Sequence, residues 1–415
     1  MIRQIVRDVK RRRAWSALPR EAREEVRHDR EVGLSADPGS QWAIDRATEW
    51  LLRAQECSSS QDGGMARHYS LVDGWGPSYP ETTGYIAPTL FHEADRRRDR
   101  HIENAGRRLL DWLVSIQMES GAFQGGVVGA SPVVPVTFNT GQILLGLAAG
   151  AARFGDPYRK SMRRAADWLV TNQDPDGCWR GHPTPFAARG EKTYETHVSW
   201  GLFEAARVDP ARGYAEAALR QVRWAVGHQQ ENGWFELCCL DQPHAPLTHT
   251  IGYAFRGVIE AYRFTGERDL LIAALRTADG VMAAQRADGS LAGRLDGEWR
   301  EAVDWVCLTG VVQIAIGWLL LWQEIGDENY RKAAEAANRF VRRTLRADVP
   351  QDRKGGVKGS FPVDGEYGQF EYLAWASKFL IDALRVEQHM DQVAALAAEP
   401  PLAVRAERAA VLRAG

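Results

Sequence analysis

One short stretch carries four chemically competent side chains at helical spacing. His249, Tyr253, Arg256 and Glu260 fall at i, i+4, i+7 and i+11, so they share one stripe of one helix. Ile251, Phe255, Val258, Ile259 and Tyr262 form the opposite stripe. The apolar stripe should pack and the polar one should face a cavity. A buried His–Tyr–Arg network closed on itself is the competing reading. Taking a proton from the carbon beside a carboxylate needs a group that neutralises the carboxylate, a base and an acid. Arg256 and Asn139 can hold the carboxylate. His249 or Tyr253 can take the proton or return one to a departing oxygen. The substrate that such a set suits is a uronic acid, whose C5 proton neighbours a carboxylate.

The elements that position these residues are legible as a repeat. Trp-Leu-x3-Gln occurs at Trp50 to Gln55, Trp112 to Gln117 and Trp168 to Gln173, and continues at Trp224 to Gln229 and at Gln285. The glutamines are spaced by 62, 56, 56 and 56 residues, and self-similarity at such a period is the mark of a repeat architecture. A Gly-bearing turn follows each glutamine, as in Asp176-Gly177 and Asn232-Gly233; glycine past a helical stretch is a C-terminal stop. First helices are predicted near 42–56, 101–118, 158–172, 213–230, 268–286 and 328–346. Second helices are predicted near 82–95, 139–154, 195–207, 249–264, 305–325 and 371–386. Strand-like alternation is nearly absent. The sixth unit is degenerate, with Lys354-Gly355-Gly356 in place of the turn. Six pairs closing on themselves make an all-α (α/α)6 toroid, second helices inside. It occupies 41–390, with a basic arm at 1–40 and a tail at 391–415.

Parallel inner helices gather their N-termini, with free N–H groups and partial positive charge, at one mouth. Their starts include Glu81-Thr82-Thr83-Gly84-Tyr85, Asn139-Thr140, Glu195-Thr196-His197, His249-Thr250 and Glu371-Tyr372. The recurring threonine is explained as a capping or first-turn residue. Capping leaves its neighbours Glu81, Asn139, Glu195, His249 and Glu371 unexplained, and a polar ring at one rim is what a substrate site presents. Tyr85 and Tyr372 join that rim. Mouth loops add aromatic faces, with Trp75, Tyr79, Trp179, Trp234, Phe235 and Trp299 among them, which suit sugar rings, isoprenoids or plain packing. Lys358, in the Gly-rich loop 356–362, could meet a carboxylate or phosphate.

The segment from Arg164 to Trp179 resembles the QW repeat of the terpenoid cyclase and prenyltransferase superfamily, and the other copies match it in part. The resemblance implies a toroid whose repeat Gln and Trp residues are structural. The candidate site resembles two other families: the toroidal polysaccharide lyases with their Asn, His, Tyr and Arg set, and the glucuronyl C5-epimerases, whose helical domain uses Tyr and Glu. On those resemblances His249, Tyr253 and Glu195 are the catalytic candidates. Arg256, Asn139, Glu81, Tyr85, Trp179, Trp234, Lys358, Glu371 and Tyr372 are the substrate-binding ones. The expected substrate is an acidic oligo- or polysaccharide undergoing epimerisation or elimination. A terpenoid cyclase would carry Asp-x-Asp-Asp or Asp-Asp-x-x-Asp, and neither is present. A prenyltransferase would hold zinc, but Cys238, Cys239, His244 and His249 match no strong zinc spacing. A non-catalytic glycan- or protein-binding toroid is the third reading. No metal or cofactor is expected.

The bulk numbers agree with an ordinary globular chain. Of 415 residues, 45% are hydrophobic and 26% charged, with a formal net charge of -2, so no overall field points to nucleic acid. Five cysteines with no framework spacing suit a reducing compartment. The basic start (Arg3 to Arg13) lacks an apolar signal core. The longest apolar run, Ile314 to Trp322, is too short to cross a bilayer. A cytoplasmic protein is expected, in which the basic start could touch anionic lipid.

Overall fold

The computed structural model describes residues 15–396. Six inner helices form a closed ring: α3 (Pro80–Arg97), α5 (Thr137–Phe154), α7 (Thr196–Val208), α9 (Thr248–Thr265), α11 (Leu308–Ile325) and α13 (Ala374–Leu396). Each packs on the next, and α13 returns to α3. Six outer helices surround them: α2 (Ser40–Glu56), α4 (Arg100–Ile116), α6 (Tyr158–Thr171), α8 (Tyr214–Val226), α10 (Arg268–Ala283) and α12 (Glu328–Arg342). The fold is an (α/α)6 toroid. Short links join each inner helix to the next outer one at the back of the ring. Long loops lead from outer to inner helices at the front, so all inner N-termini open on the front mouth. The inner helices are buried on most of their surface except at their C-terminal turns, as a two-layered ring requires. Some cross through glycine: a Cβ on Gly201 would collide with the Gly141 carbonyl.

The repeat residues are fasteners. The Gln173 amide donates to the Gly177 carbonyl at 2.9 Å and to the Ala217 carbonyl of the next outer helix at 2.8 Å. Gln55, Gln117, Gln229 and Gln285 make the same pair of bonds in their own units. The turn glycines have positive φ, +98° at Gly177, where an L side chain is strained. A Cβ there would also strike the Arg220 backbone. The degenerate sixth unit keeps this device: Gly355 has φ +91° and abuts the Arg46 carbonyl, which closes the ring against the first outer helix. The inner-helix threonines are first-turn residues that do not cap. Thr140 Oγ1 donates to the Val136 carbonyl and accepts the Phe123 N–H, which ties the front loop to the helix.

Two features depart from an all-helical reading. A four-stranded antiparallel sheet, in the order β2-β1-β6-β4, joins Gly74–Trp75, His68–Ser70, Glu371–Leu373 and Val357–Lys358. A two-stranded piece pairs β3 (Val306–Cys307) with β5 (Ser360–Phe361). The larger sheet sews the first front loop to the last one across the ring seam. Glu371 and Tyr372 therefore lie in a strand, and α13 begins three residues later than 371. The strands span two or three residues, too short for alternation to register. Ahead of the ring, α1 (Arg20–Arg27) and the turn after it cover the last front loop. The basic residues Arg3 to Arg13 and the segment 397–415 lie outside the described residues. Among the described helices, α11 is long and apolar enough to cross a bilayer, and it is an inner helix with 89% of that window buried.

Candidate functional site

The front mouth opens into a cavity of about 460 Å³, a volume ordinary for small-molecule sites. Its walls are largely aromatic, with Phe138, Tyr194, Tyr367, Trp375 and Phe186 among them. Glu81, Asn139, His249 and Arg67 supply most of the polarity, and Glu81 is the one carboxylate among the described lining residues. Units one and four are opposite each other in a six-membered ring, so Glu81 and Tyr85 face His249 and Tyr253.

Tyr253 is at the centre of the floor. Its ring sits 4.3 Å from the His249 ring and 4.4 Å from the His197 ring, centroid to centroid. Both imidazoles are held alike. Nδ1 of His249 is 2.7 Å from Gln313 Oε1, and Nδ1 of His197 is 2.6 Å from Gln142 Oε1. Each histidine is the second residue of its inner helix, and each glutamine is the sixth residue of a neighbouring one. An amide oxygen only accepts, so Nδ1 carries the proton and Nε2 keeps a free lone pair. Burial holds the His249 pKa down at about 4, against the partial support of Gln313. At neutral pH its ring is therefore a neutral base. Burial also holds the His197 pKa well below the ordinary imidazole value, helped by the nearby charge of Arg256.

The Tyr85 and Tyr253 hydroxyls face each other across the floor, and neither has another hydrogen-bond partner. Burial raises both phenols well above their ordinary range, so they stay protonated and able to donate. Tyr367 accepts a bond from Trp375 Nε1 at 2.7 Å. On the far wall burial raises Glu81 to about 7, with Arg67 opposing. Asn139 is 2% exposed, and its Nδ2 lies near the Tyr79 hydroxyl without completing a hydrogen bond. A buried amide donor left open beside a cavity is a position for a ligand acceptor.

The structure brings together Glu81, Tyr85, Asn139, His249 and Tyr253, and disperses the other candidates. Arg256 shares a stripe with His249 but stands about 10 Å further along the helix axis, at 1.5 Å per residue. It lies behind the tyrosine layer and pairs with Glu260 at 2.7 Å. Glu195 is buried outside the cavity lining, its pKa raised to about 8 by burial, with Lys192 opposing. Trp179 donates to the Leu169 carbonyl inside its own repeat, and Trp234 is buried in the next. Lys358 is 2% exposed and bonds Glu25 and Asp29 of the N-terminal segment, at 3.0 and 2.5 Å. Tyr372 is buried in the seam sheet. Glu371 stays just behind the wall, where it pairs with Arg67 at 2.9 Å.

Arg67, His197, Gln142 and Gln313 are the residues that sequence reasoning missed. Arg67 follows the first repeat turn, in a front loop with no periodicity to mark it. A signal for His197 was available: Thr196-His197 and Thr248-His249 are the same dipeptide at the start of consecutive inner helices. Cys238 is occupied by the Thr250 carbonyl, and no group of three His, Cys, Asp or Glu side chains among the described residues is arranged to hold a metal.

No family model matches the sequence, and no curated protein matches it. Solved structures do. An unsaturated glucuronyl hydrolase specific for heparin superposes with a TM-score of 0.68 at 16% identity, over 85% of this chain and 99% of that one. A D-mannose isomerase gives 0.68 at 10% identity, over 85% and 97%. Cellobiose 2-epimerase from Bacillus thermoamylovorans B4167 gives 0.65 at 10% identity, over 83% and 98%. The chain thus shares the (α/α)6 toroid of these proteins.

Proposed function

We propose that the chain is a carbohydrate-active enzyme that removes the C5 proton of a uronic acid within a glycan, leading to epimerisation or elimination. The observation that carries this reading is the neutral His249, its tautomer fixed by Gln313, against Tyr253 on the floor of an aromatic cavity. In the proposed step the C5 proton passes to His249 Nε2, and the electron pair moves into the carboxylate. A protonated Glu81, the open Nδ2 of Asn139 and Arg67 stabilise the charge that develops there. In elimination the pair returns to form the C4–C5 double bond, and O4 leaves with a proton from Tyr253 on the same wall. In epimerisation a proton returns to C5 from the opposite wall, where Glu81 and Tyr85 stand. Glycosidases commonly use two carboxylates, and this cavity lining has one. The neighbours in fold that act on sugars lend general support to a glycan enzyme.

A second reading is favoured by one observation. Arg67 is already matched by Glu371 at 2.9 Å, so its charge is not wholly free for a substrate carboxylate. Proton transfer beside the carbonyl of a neutral reducing sugar would use the same His249 and Tyr253. A panel of uronate oligosaccharides, mannose and cellobiose separates the two. Unsaturated-uronate absorbance or a new uronate epimer supports the first reading; isomerisation of a neutral sugar alone supports the second. A folded protein inert on the whole panel overturns both.

A further inference from the structure

A second cavity, of about 1130 Å³, opens at the back of the toroid, where the inner helices end. The ring layer of Tyr85, Tyr253 and Phe379 divides the channel, and Tyr85 lines both compartments. Seven Arg and Lys side chains line the back cavity against four Asp and Glu. Helix C-termini carry partial negative charge and attract cations in their last turn, which accounts for some of these. It does not account for the two deepest. Lys378 is the fifth residue of α13, and Arg256 stands nine residues before the end of α9.

Lys378 is 4% exposed and bonds Asp382 at 2.7 Å. Burial lowers its pKa, Asp382 opposes that, and the charge of Arg256 lowers it further. Arg256 on α9 and Lys378 on α13 line the same channel from two non-adjacent helices of the ring. Arg256 lies 4.2 Å from the Trp200 ring centroid. Its counter-ion Glu260 is shared with Arg263 at 3.2 Å, one carboxylate for two guanidinium groups. Leu145, Ala148, Ile316 and Leu320 supply apolar wall between the charged faces. An anion between Arg256 and Lys378 would turn a repulsion into two attractions, and guanidinium groups match oxyanions in bidentate fashion.

We infer that this back cavity is a second binding site, independent of the front one, for a phosphate-bearing small molecule whose oxyanion sits between Arg256 and Lys378. The test is calorimetric titration of the full chain with inorganic pyrophosphate, with glucose 1-phosphate and with glucose. The expected result is one site per chain for both phosphates and none for glucose. Affinity should fall as salt rises, fall at least about tenfold in Arg256→Gln, which removes one of the two cations that hold the oxyanion, and fall severalfold in Arg263→Gln, which removes a cation from the cavity wall. The Arg263 side chain is 38% exposed, so its variant keeps the test valid where Arg256→Gln fails to fold. His249→Ala, in the front cavity, should bind as the wild type does. Tighter binding of glucose 1-phosphate than of pyrophosphate would assign part of the affinity to the sugar; equal binding would assign it to the anion. Absence of saturable binding, binding indifferent to both arginine variants, or equal loss in His249→Ala would overturn the inference.

Discussion

Gln313 accepts the Nδ1 proton of His249 at 2.7 Å, and that one bond decides which face of the imidazole can act as a base. Replacing Gln313 with Leu removes the acceptor and releases the tautomer. Turnover should drop by on the order of 100-fold with the fold retained. Gln313→Glu puts a carboxylate there instead, which favours the imidazolium and raises the His249 pKa. The acid limb of a pH–rate profile should then move to higher pH. An unmoved limb would mean that His249 does not titrate in the reaction.

The same profile in the wild type should be bell-shaped. His249 must be neutral, and its pKa of about 4 sets the rising limb. Glu81 must be protonated, and its pKa of about 7 sets the falling limb. Glu81→Gln should flatten the alkaline limb, because the amide donates a hydrogen bond at every pH.

Glu195 makes a contrasting case. Its folded pKa of about 8 is above the ordinary carboxyl value of 4.5, so the folded state prefers the proton. Stability should therefore fall as pH rises from 4.5 to 8 and level off beyond. Glu195→Gln cannot ionise and should escape that loss. Denaturant unfolding should find the two proteins close at pH 5 and the variant a few kcal/mol more stable at pH 9. Loss of activity at pH 6 in a folded variant would instead give Glu195 a catalytic part.

Lys358 answers Glu25 and Asp29 in a buried cluster. Lys358→Met leaves two carboxylates without their closest cation and should cost about 3–5 kcal/mol of stability, the usual effect of breaking a buried pair. KM should stay the same, since Lys358 is outside the cavity lining.

The toroid was readable because its fasteners recur: a glutamine and, just after it, a turn glycine return every 56 residues or so. The seam sheet was not, since pairs such as Tyr69 with Tyr372 join segments 303 residues apart through strands of three residues. In the site, helical spacing gave the direction of each side chain around α9 and not its depth along it. That is why His249 and Tyr253 belong to the front cavity while Arg256 belongs to the back one. The arginine that the front cavity does use, Arg67, comes from a loop, where no periodicity marks it.

Solvent exchange at C5 tests the central claim most directly. A uronate-containing oligosaccharide incubated with the protein in D2O should gain deuterium at C5 if the proton returns, or give unsaturated uronate without exchange if elimination follows. His249→Ala should abolish either signal, and Tyr253→Phe should lower the unsaturated product by on the order of 100-fold. Undiminished exchange or product in a folded His249→Ala protein would contradict the assignment of His249 as the base.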